Sequence, residues 1–141
     1  MSSITDPQVR DFLAHGTRTG KLGYLSPSGR PLVTPIWFIV EDDTLVFNTG
    51  AGTAKGRALA WDPRVTLSVD LEEPPYAFVQ VQGDAELSED PAELLRTATA
   101  IASRYMGAEQ AEAFGRRNAV PGELLVRLRP TRVVAAFDLT G

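Results

Sequence analysis

The chain has 141 residues, of which 43% are hydrophobic, and its formal net charge is −4. This length suits one domain with one core, and the acidic balance argues against a broad nucleic-acid surface. Because the sequence has no cysteine and a single histidine, His15, it excludes disulfides, thiolate chemistry, iron–sulfur clusters and histidine-rich metal centres, so any redox chemistry would need an organic cofactor.

The first residues have neither the basic region nor the apolar region of a signal peptide, and no apolar run approaches the ~20 residues needed to span a bilayer. No repeat, linker or low-complexity segment divides the chain. We therefore expect one domain over residues 1–141 in a cytoplasmic protein, with neither a membrane nor a nucleic acid as its partner.

The first predicted elements are a short helix and a series of strands. Asp6 and Pro7 are typical of a helix start, and apolar residues at helical spacing follow until Gly16. Strands are then predicted over residues 22–26, 32–40 and 45–48. Because Pro31 and Pro35 have no backbone N–H to donate, the second strand should lie at a sheet edge or be interrupted near them.

The next part of the chain predicts a second short helix and two half-buried strands. The helix covers residues 53–61, with Thr53 as its N-cap and the pair Asp62-Pro63 as its stop. Apolar and polar residues alternate over residues 65–70 and 79–82, which is typical of strands with one buried face.

The last part of the chain predicts the longest helix and the closing strands. Asp90, Pro91 and Glu93 combine an N-cap, a proline in the first turn and a capping-box glutamate. A weaker helix around residues 111–114 precedes two strands, 123–129 and 132–138, hinged at Pro130. Six or seven strands joined by short turns predict a mainly β domain, an antiparallel barrel with peripheral helices.

A glycine-rich segment, residues 50–57, has the composition of an anion site. It places Thr53, Lys55 and Arg57 at a predicted helix start, where unpaired N–H groups and the helix dipole favour a phosphate. It has neither the Walker spacing nor the dinucleotide-binding spacing of glycines. From this segment alone, a capped helix with solvated cations explains the pattern equally well.

The second unusual segment is Pro35-Ile36-Trp37-Phe38, in which large flat side chains follow a proline that interrupts the strand. A flat wall of this kind suits the ring system of a flavin. Trp and Phe in a strand are also ordinary core residues, so this segment alone does not decide between the two.

Six motifs occur together in one order along the chain. They are Gly29-Arg30-Pro31, Pro35-Ile36-Trp37-Phe38, Phe47-Asn48-Thr49, Thr53-Ala54-Lys55-Gly56-Arg57, Asp62-Pro63-Arg64-Val65 and Val81-Gln82-Gly83-Asp84-Ala85. In this order the sequence resembles the pyridoxamine-phosphate-oxidase-like flavin and deazaflavin oxidoreductases, over nearly its whole length. The stretches 104–107 and 116–122 look most like the actinobacterial branch that uses the deazaflavin coenzyme F420.

The resemblance implies a fold and a set of cofactor-binding residues. The implied fold is a split β-barrel of the FMN-binding type, and the implied assembly is a homodimer with the cofactor between subunits. The phosphate-binding stretch falls on Thr53, Ala54, Lys55 and Arg57, the ring-facing backbone on Pro35, Ile36, Trp37 and Phe38, and the strand end beneath the ring on Asn48 and Thr49. Phe78, Gln80 and Asn118 would reach the cofactor from the partner chain.

The resemblance also implies an activity. Ala54 stands where FMN-using members commonly have a second basic residue, which shifts the expected cofactor from FMN towards F420. We expect a reductase that transfers a hydride from reduced deazaflavin to an unsaturated small organic substrate. The alternatives are an FMN-dependent oxidoreductase on the same barrel and a non-catalytic protein that carries a deazaflavin or a tetrapyrrole. The sequence identifies no catalytic acid or base: we expect His15 at a helix end and Tyr105 in a packing role.

Overall fold

The computed structural model describes residues 2–141, which form a seven-stranded antiparallel sheet with four helices around it. In chain order the elements are α1 (Pro7–Ala14), β1 (Gly20–Leu25), β2 (Pro31–Ile36), β3 (Ile39–Glu41), β4 (Thr44–Gly50), α2 (Ala54–Trp61), β5 (Arg64–Leu71), β6 (Ala77–Ser88), α3 (Pro91–Met106), α4 (Ala108–Asn118) and β7 (Glu123–Ala136). The mainly β, antiparallel prediction is confirmed. No helix within the described residues is long and apolar enough to cross a membrane.

The sheet is curled and left open at one place. The strand order is β2-β1-β5-β6-β7-β4-β3, so β2 and β3 lie at opposite edges of the sheet although only Trp37 and Phe38 separate them in the chain. The two edges therefore come close without pairing, which is the geometry of a split barrel. The split lies at Trp37 and Phe38.

The alternation of apolar residues determines which face of the sheet is buried. On β5, Val65, Leu67 and Val69 are buried, while the residues between them are partly exposed. The inner faces of the other strands add Leu22 and Phe47, and one face of α1 covers the same core. Burial of this continuous apolar face provides the main stabilisation of the fold.

Two predictions about strands are wrong in detail. The predicted strand 32–40 is two strands, because β2 pairs with β1 whereas β3 pairs with β4. The predicted pair 123–129 and 132–138 is one strand, β7, in which Thr131 is an extra residue between the pairs Gly83–Pro130 and Gln82–Arg132. Such a bulge accommodates Pro130, which cannot donate to the ladder, without ending the strand. The expected edge position of β2 is confirmed.

The predicted helix starts are correct, but two of the predicted capping side chains act differently. Asp6 stands at the N-cap of α1, but its carboxylate accepts a hydrogen bond from the Ser3 N–H and makes no cap bond. Thr53 caps α2 by accepting a hydrogen bond from the Gly56 N–H, and Asp90 caps α3 by accepting one from the Ala92 N–H. Glu93 does not complete a capping box, because its carboxylate accepts a hydrogen bond from Arg96. The weak helix predicted around residues 111–114 is longer, α4.

Candidate functional site

A cavity of about 440 Å³ lies at the split in the barrel. Its lining consists of Thr19, Pro35, Ile36, Trp37, Asn48, Lys55, Ala98, Ile101, Ala102, Asn118 and Glu123. One side is formed by the end of β2, another by the apolar face of α3, and a third by the polar residues of α2, α4 and β7. This combination of an apolar wall with a few convergent polar groups is typical of small-molecule sites.

The carboxyl end of α3 occupies the split. The guanidinium of Arg104 donates to the carbonyl of Phe38 at 2.6 Å, and the hydroxyl of Tyr105 accepts a hydrogen bond from the Phe38 N–H at 3.3 Å. Because no neighbouring strand pairs with Phe38, these two side chains replace the missing ladder bonds. Burial raises the pKa of Tyr105. The hydroxyl also donates to the carbonyl of Arg18.

The cavity wall at the end of β2 is held by stacking. The rings of Trp37 and Tyr105 lie parallel, with centroids 4.9 Å apart and an interplanar angle of 5°. The Trp37 side chain remains 43% exposed, so it offers apolar ring surface to a ligand although it is fixed on one side. Tyr105 packs here, as expected from the sequence, and its contact positions Trp37.

The glycine-rich loop before α2 is shaped by backbone contacts. The Thr53 hydroxyl donates to the Gly50 carbonyl and accepts from the Gly56 N–H, so it belongs to the helix cap. A Cβ on Gly56 would lie 2.1 Å from the Gly50 carbonyl oxygen, which leaves room only for glycine. The loop therefore packs directly against the first turn of α2.

Lys55 and Arg57 point to different places. Residues two apart on a helix do not share a face, and only Lys55 lines the cavity. Arg57 is exposed and its guanidinium donates to the carbonyl of Gly52. Desolvation lowers the pKa of Lys55, and the opposite charge of Glu123 partly offsets this effect. Lys55 is thus the cation that the fold presents to the cavity.

Glu123 is the acidic residue of the cavity. It begins β7 and pairs with Gly50, which places its carboxylate next to the glycine-rich loop. Its Oε2 is buried and has no hydrogen-bond partner anywhere in residues 2–141. Desolvation raises the pKa of this carboxyl, and the charge of Lys55 only partly counteracts the rise.

Two amides complete the polar side of the cavity. Asn48, near the end of β4, donates from Nδ2 to the Thr97 hydroxyl at 3.4 Å. Asn118 is the last residue of α4 and is exposed. Neither Lys55 nor Glu123 contacts a side chain that would make it a strong nucleophile.

The structure brings together six of the thirteen residues predicted for cofactor binding, Pro35, Ile36, Trp37, Asn48, Lys55 and Asn118. Phe38 and Thr49 are buried outside the lining, and Thr53, Ala54 and Arg57 are exposed beside it. Phe78 and Gln80 lie on the outer face of the sheet, opposite Asp70 and Ser68 of β5. These two residues therefore do not contribute to the cavity of their own chain.

The sequence interpretation missed Glu123, Thr19 and the three α3 residues of the lining. Ala98, Ile101 and Ala102 lie on the buried face of α3, and the small side chains of the two alanines leave room for the cavity. An acidic residue directly after a Pro-Gly turn gives no local signal of burial. Only the pairing of β7 with β4 places Glu123 at the site.

Comparison with known proteins identifies the family. The model of the pyridoxamine 5'-phosphate oxidase family matches residues 5–135. Among curated proteins none matches. A conserved hypothetical protein from Mycobacterium tuberculosis has a similar structure, with a TM-score of 0.81, 27% identity, and 96% of this chain and 84% of that one covered.

Two further solved structures are similar to this chain. An F420 reductase matches with a TM-score of 0.68 and 25% identity, over 92% of this chain and 98% of that one. A heme binding protein from Mycobacterium smegmatis matches with a TM-score of 0.67 over 94% of this chain and 54% of that one, but at 20% identity it shares the fold alone. The family match, which spans almost the whole chain, agrees with the resemblance found in the sequence motifs. The chain belongs to the pyridoxamine 5'-phosphate oxidase family.

Proposed function

We propose that this protein is an oxidoreductase that binds coenzyme F420 in the cavity at the split of the barrel and transfers a hydride from the reduced cofactor to an unsaturated organic substrate. The observation that carries the proposal is the arrangement of that cavity. Lys55 faces it from one side, and the wall of Pro35, Ile36 and Trp37 faces it from another.

The residues present fit a phosphorylated deazaflavin. Lys55 would bind the phosphate, since it is the cation of the lining, and Trp37 would contact the ring system. Arg57 is assigned a different role from Lys55, because its guanidinium holds the carbonyl of Gly52 and so shapes the loop. The similarity to an F420 reductase favours F420 over FMN.

The cofactor supplies hydride chemistry when it is bound, and the chain's own residues supply binding and orientation. Trp37 is fixed by Tyr105, and Asn48 is fixed by its hydrogen bond to Thr97, so both present a preorganised surface. The apolar face of α3 limits the access of water to one side of the cavity. We assign no protein residue as proton donor to the substrate.

A homodimer is part of the proposal. The outer face of the sheet carries apolar side chains that a partner chain would cover, among them Val33, which is 72% exposed, and Phe78. A depression of about 530 Å³ lies on the same face. We expect a dimeric mass by light scattering coupled to size exclusion, and a monomeric mass with cofactor bound would contradict this part.

The test of the cofactor assignment is an equilibrium titration of the protein with F420 and with FMN, followed by ligand fluorescence. Lys55→Ala should weaken F420 binding about ten- to a hundredfold, because it removes a charge-assisted contact. Arg57→Ala is the matched control, since it removes an equal charge from another face of the same helix, outside the cavity. It should change the affinity by less than about threefold. Equal effects of the two variants, or tight stoichiometric FMN binding, would refute the assignment.

Catalysis is tested separately from binding. Reduced F420 should be oxidised by the protein in the presence of an enone or a quinone, as followed by recovery of the absorbance of the oxidised cofactor. If tight binding is measured but no acceptor in a broad panel is reduced, the protein is a carrier of the deazaflavin and the catalytic part of the proposal is wrong.

A further inference from the structure

The unpartnered carboxylate of Glu123 is the least expected group in the cavity. Buried polar atoms are almost always hydrogen-bonded in folded proteins, so an orphaned carboxylate oxygen needs an explanation. Oε2 of Glu123 has no partner among residues 2–141. It lies beside the glycine-rich loop, since a Cβ on Gly50 would be 3.7 Å from it.

The charges that face Glu123 are few. From α2 the ammonium group of Lys55 shares the cavity with it, and from the β6–α3 loop Glu89 lines a groove on its other side. The remaining polar side chains of the lining, those of Thr19, Asn48 and Asn118, are neutral. When both Lys55 and Glu123 are ionised, the polar side of the cavity therefore has no net charge from its own side chains.

A site of zero net charge distinguishes between phosphates of different charge. A phosphodiester carries one negative charge, whereas a phosphomonoester carries nearly two above about pH 7. Both charges act more strongly on the doubly charged group, Lys55 by attraction and Glu123 by repulsion, so Glu123 cancels the advantage that Lys55 alone would give the monoester. With this attraction cancelled, the larger cost of desolvating a doubly charged group in the partly buried cavity favours the singly charged phosphodiester.

We propose that Glu123 is a specificity-determining residue of the cofactor site, which admits a singly charged phosphodiester next to Lys55 and disfavours a doubly charged phosphomonoester. This inference rests on the proposed function, because it assigns the phosphate to Lys55. Selectivity for a diester would favour the binding of F420, whose phosphate is a diester, over that of FMN, whose phosphate is a monoester. The selection acts on the phosphate and does not require any contact with the ring.

The experiment uses two ligands that differ in this charge and in one methyl group. They are the 5'-phosphomonoester of the deazaflavin chromophore and its methyl phosphodiester, each titrated at about pH 8, where the monoester is almost fully dianionic. The unmodified protein should bind the diester at least about tenfold more tightly. In Glu123→Gln the preference should fall to about threefold or less, mainly through tighter binding of the monoester.

Glu89→Gln is the matched control. It makes the same charge change on the same side of the molecule but outside the cavity, and it should keep the full preference for the diester. At about pH 5.5 the preference of the unmodified protein should shrink, since the monoester then approaches a single charge. Thermal unfolding of each variant, measured in parallel, separates a change in affinity from a loss of folded protein.

The outcomes distinguish this inference from the proposed function. If the unmodified protein binds F420 but binds the two esters equally, or if Glu123→Gln keeps the preference, the role of Glu123 is wrong and the cofactor assignment stands. If neither F420 nor either ester binds, the proposed function is refuted and the inference is refuted with it.

Discussion

Removing the guanidinium of Arg104 should test the account of the split barrel. Arg104 donates to three main-chain carbonyls, those of Gly16 at 2.9 Å, Phe38 at 2.6 Å and Leu13 at 2.8 Å. The last two bonds are partly buried, and hydrogen bonds from charged donors contribute about 1.5 kcal/mol each at the low end of their range. Arg104→Met should therefore lower the free energy of unfolding by about 3 kcal/mol, and the melting temperature by about 10 °C.

The assay is urea unfolding followed by far-ultraviolet circular dichroism, with the slope of the transition compared between variants. Arg116→Met is the matched control, because Arg116 is exposed and its ion pair with Glu112 is 3.8 Å long, so it should change stability by less than about 0.5 kcal/mol. A loss of less than about 1 kcal/mol in Arg104→Met would show that solvent can replace its bonds, and would refute the argument that α3 holds the split together.

The remaining predictions concern the loop, acid stability and the cavity charge. Gly56→Ala should lose about 2 kcal/mol because its Cβ meets a backbone carbonyl, whereas Gly52→Ala, with no atom within 4 Å, should change little in the same unfolding assay. Arg64 lowers the pKa of Asp62 to about 2, so Asp62→Asn should lose stability near neutral pH, and the difference should vanish as pH falls through about 2. Desolvation raises the pKa of Glu123, so Glu123→Gln should melt higher than the unmodified protein at neutral pH, with the gap closing below the ordinary glutamate range. A constant gap from neutral to acid pH, in either thermal melting series, would contradict the corresponding assignment.

Local chemistry made several elements predictable. A threonine followed by a glycine-containing helical stretch specifies the start of α2, and the combination of Asp90 with Pro91 specifies the start of α3. These signals act within one turn of helix, and they do not depend on which element packs against them. The resemblance to the family then added the expectation of a split barrel.

Pairing between distant strands was not predictable in the same way. Pro35 indicates an interruption in residues 32–40, but nothing local indicates that the chain leaves β1 after Ile36 and pairs with β4 from Ile39. The split at Trp37 exists only in the folded chain. For the same reason the continuous strand β7 was divided at Pro130, since the bulge that accommodates the proline depends on β6.

Only those residues of the candidate site that lie in recognisable sequence motifs were predicted. Lys55 and Trp37 stand in such motifs, and both line the cavity. Arg57 stands in the same motif as Lys55, but helical geometry turns it to another face, which a linear motif does not express. Glu123 was missed because strand register, rather than any local pattern, places it there.

The most direct test of the central claim is a crystal structure of the protein with F420 bound. The phosphate should lie within hydrogen-bond distance of the Lys55 ammonium group, and the deazaflavin ring should lie against Pro35, Ile36 and Trp37. A cofactor bound elsewhere, or bound with its phosphate away from Lys55, would contradict the claim.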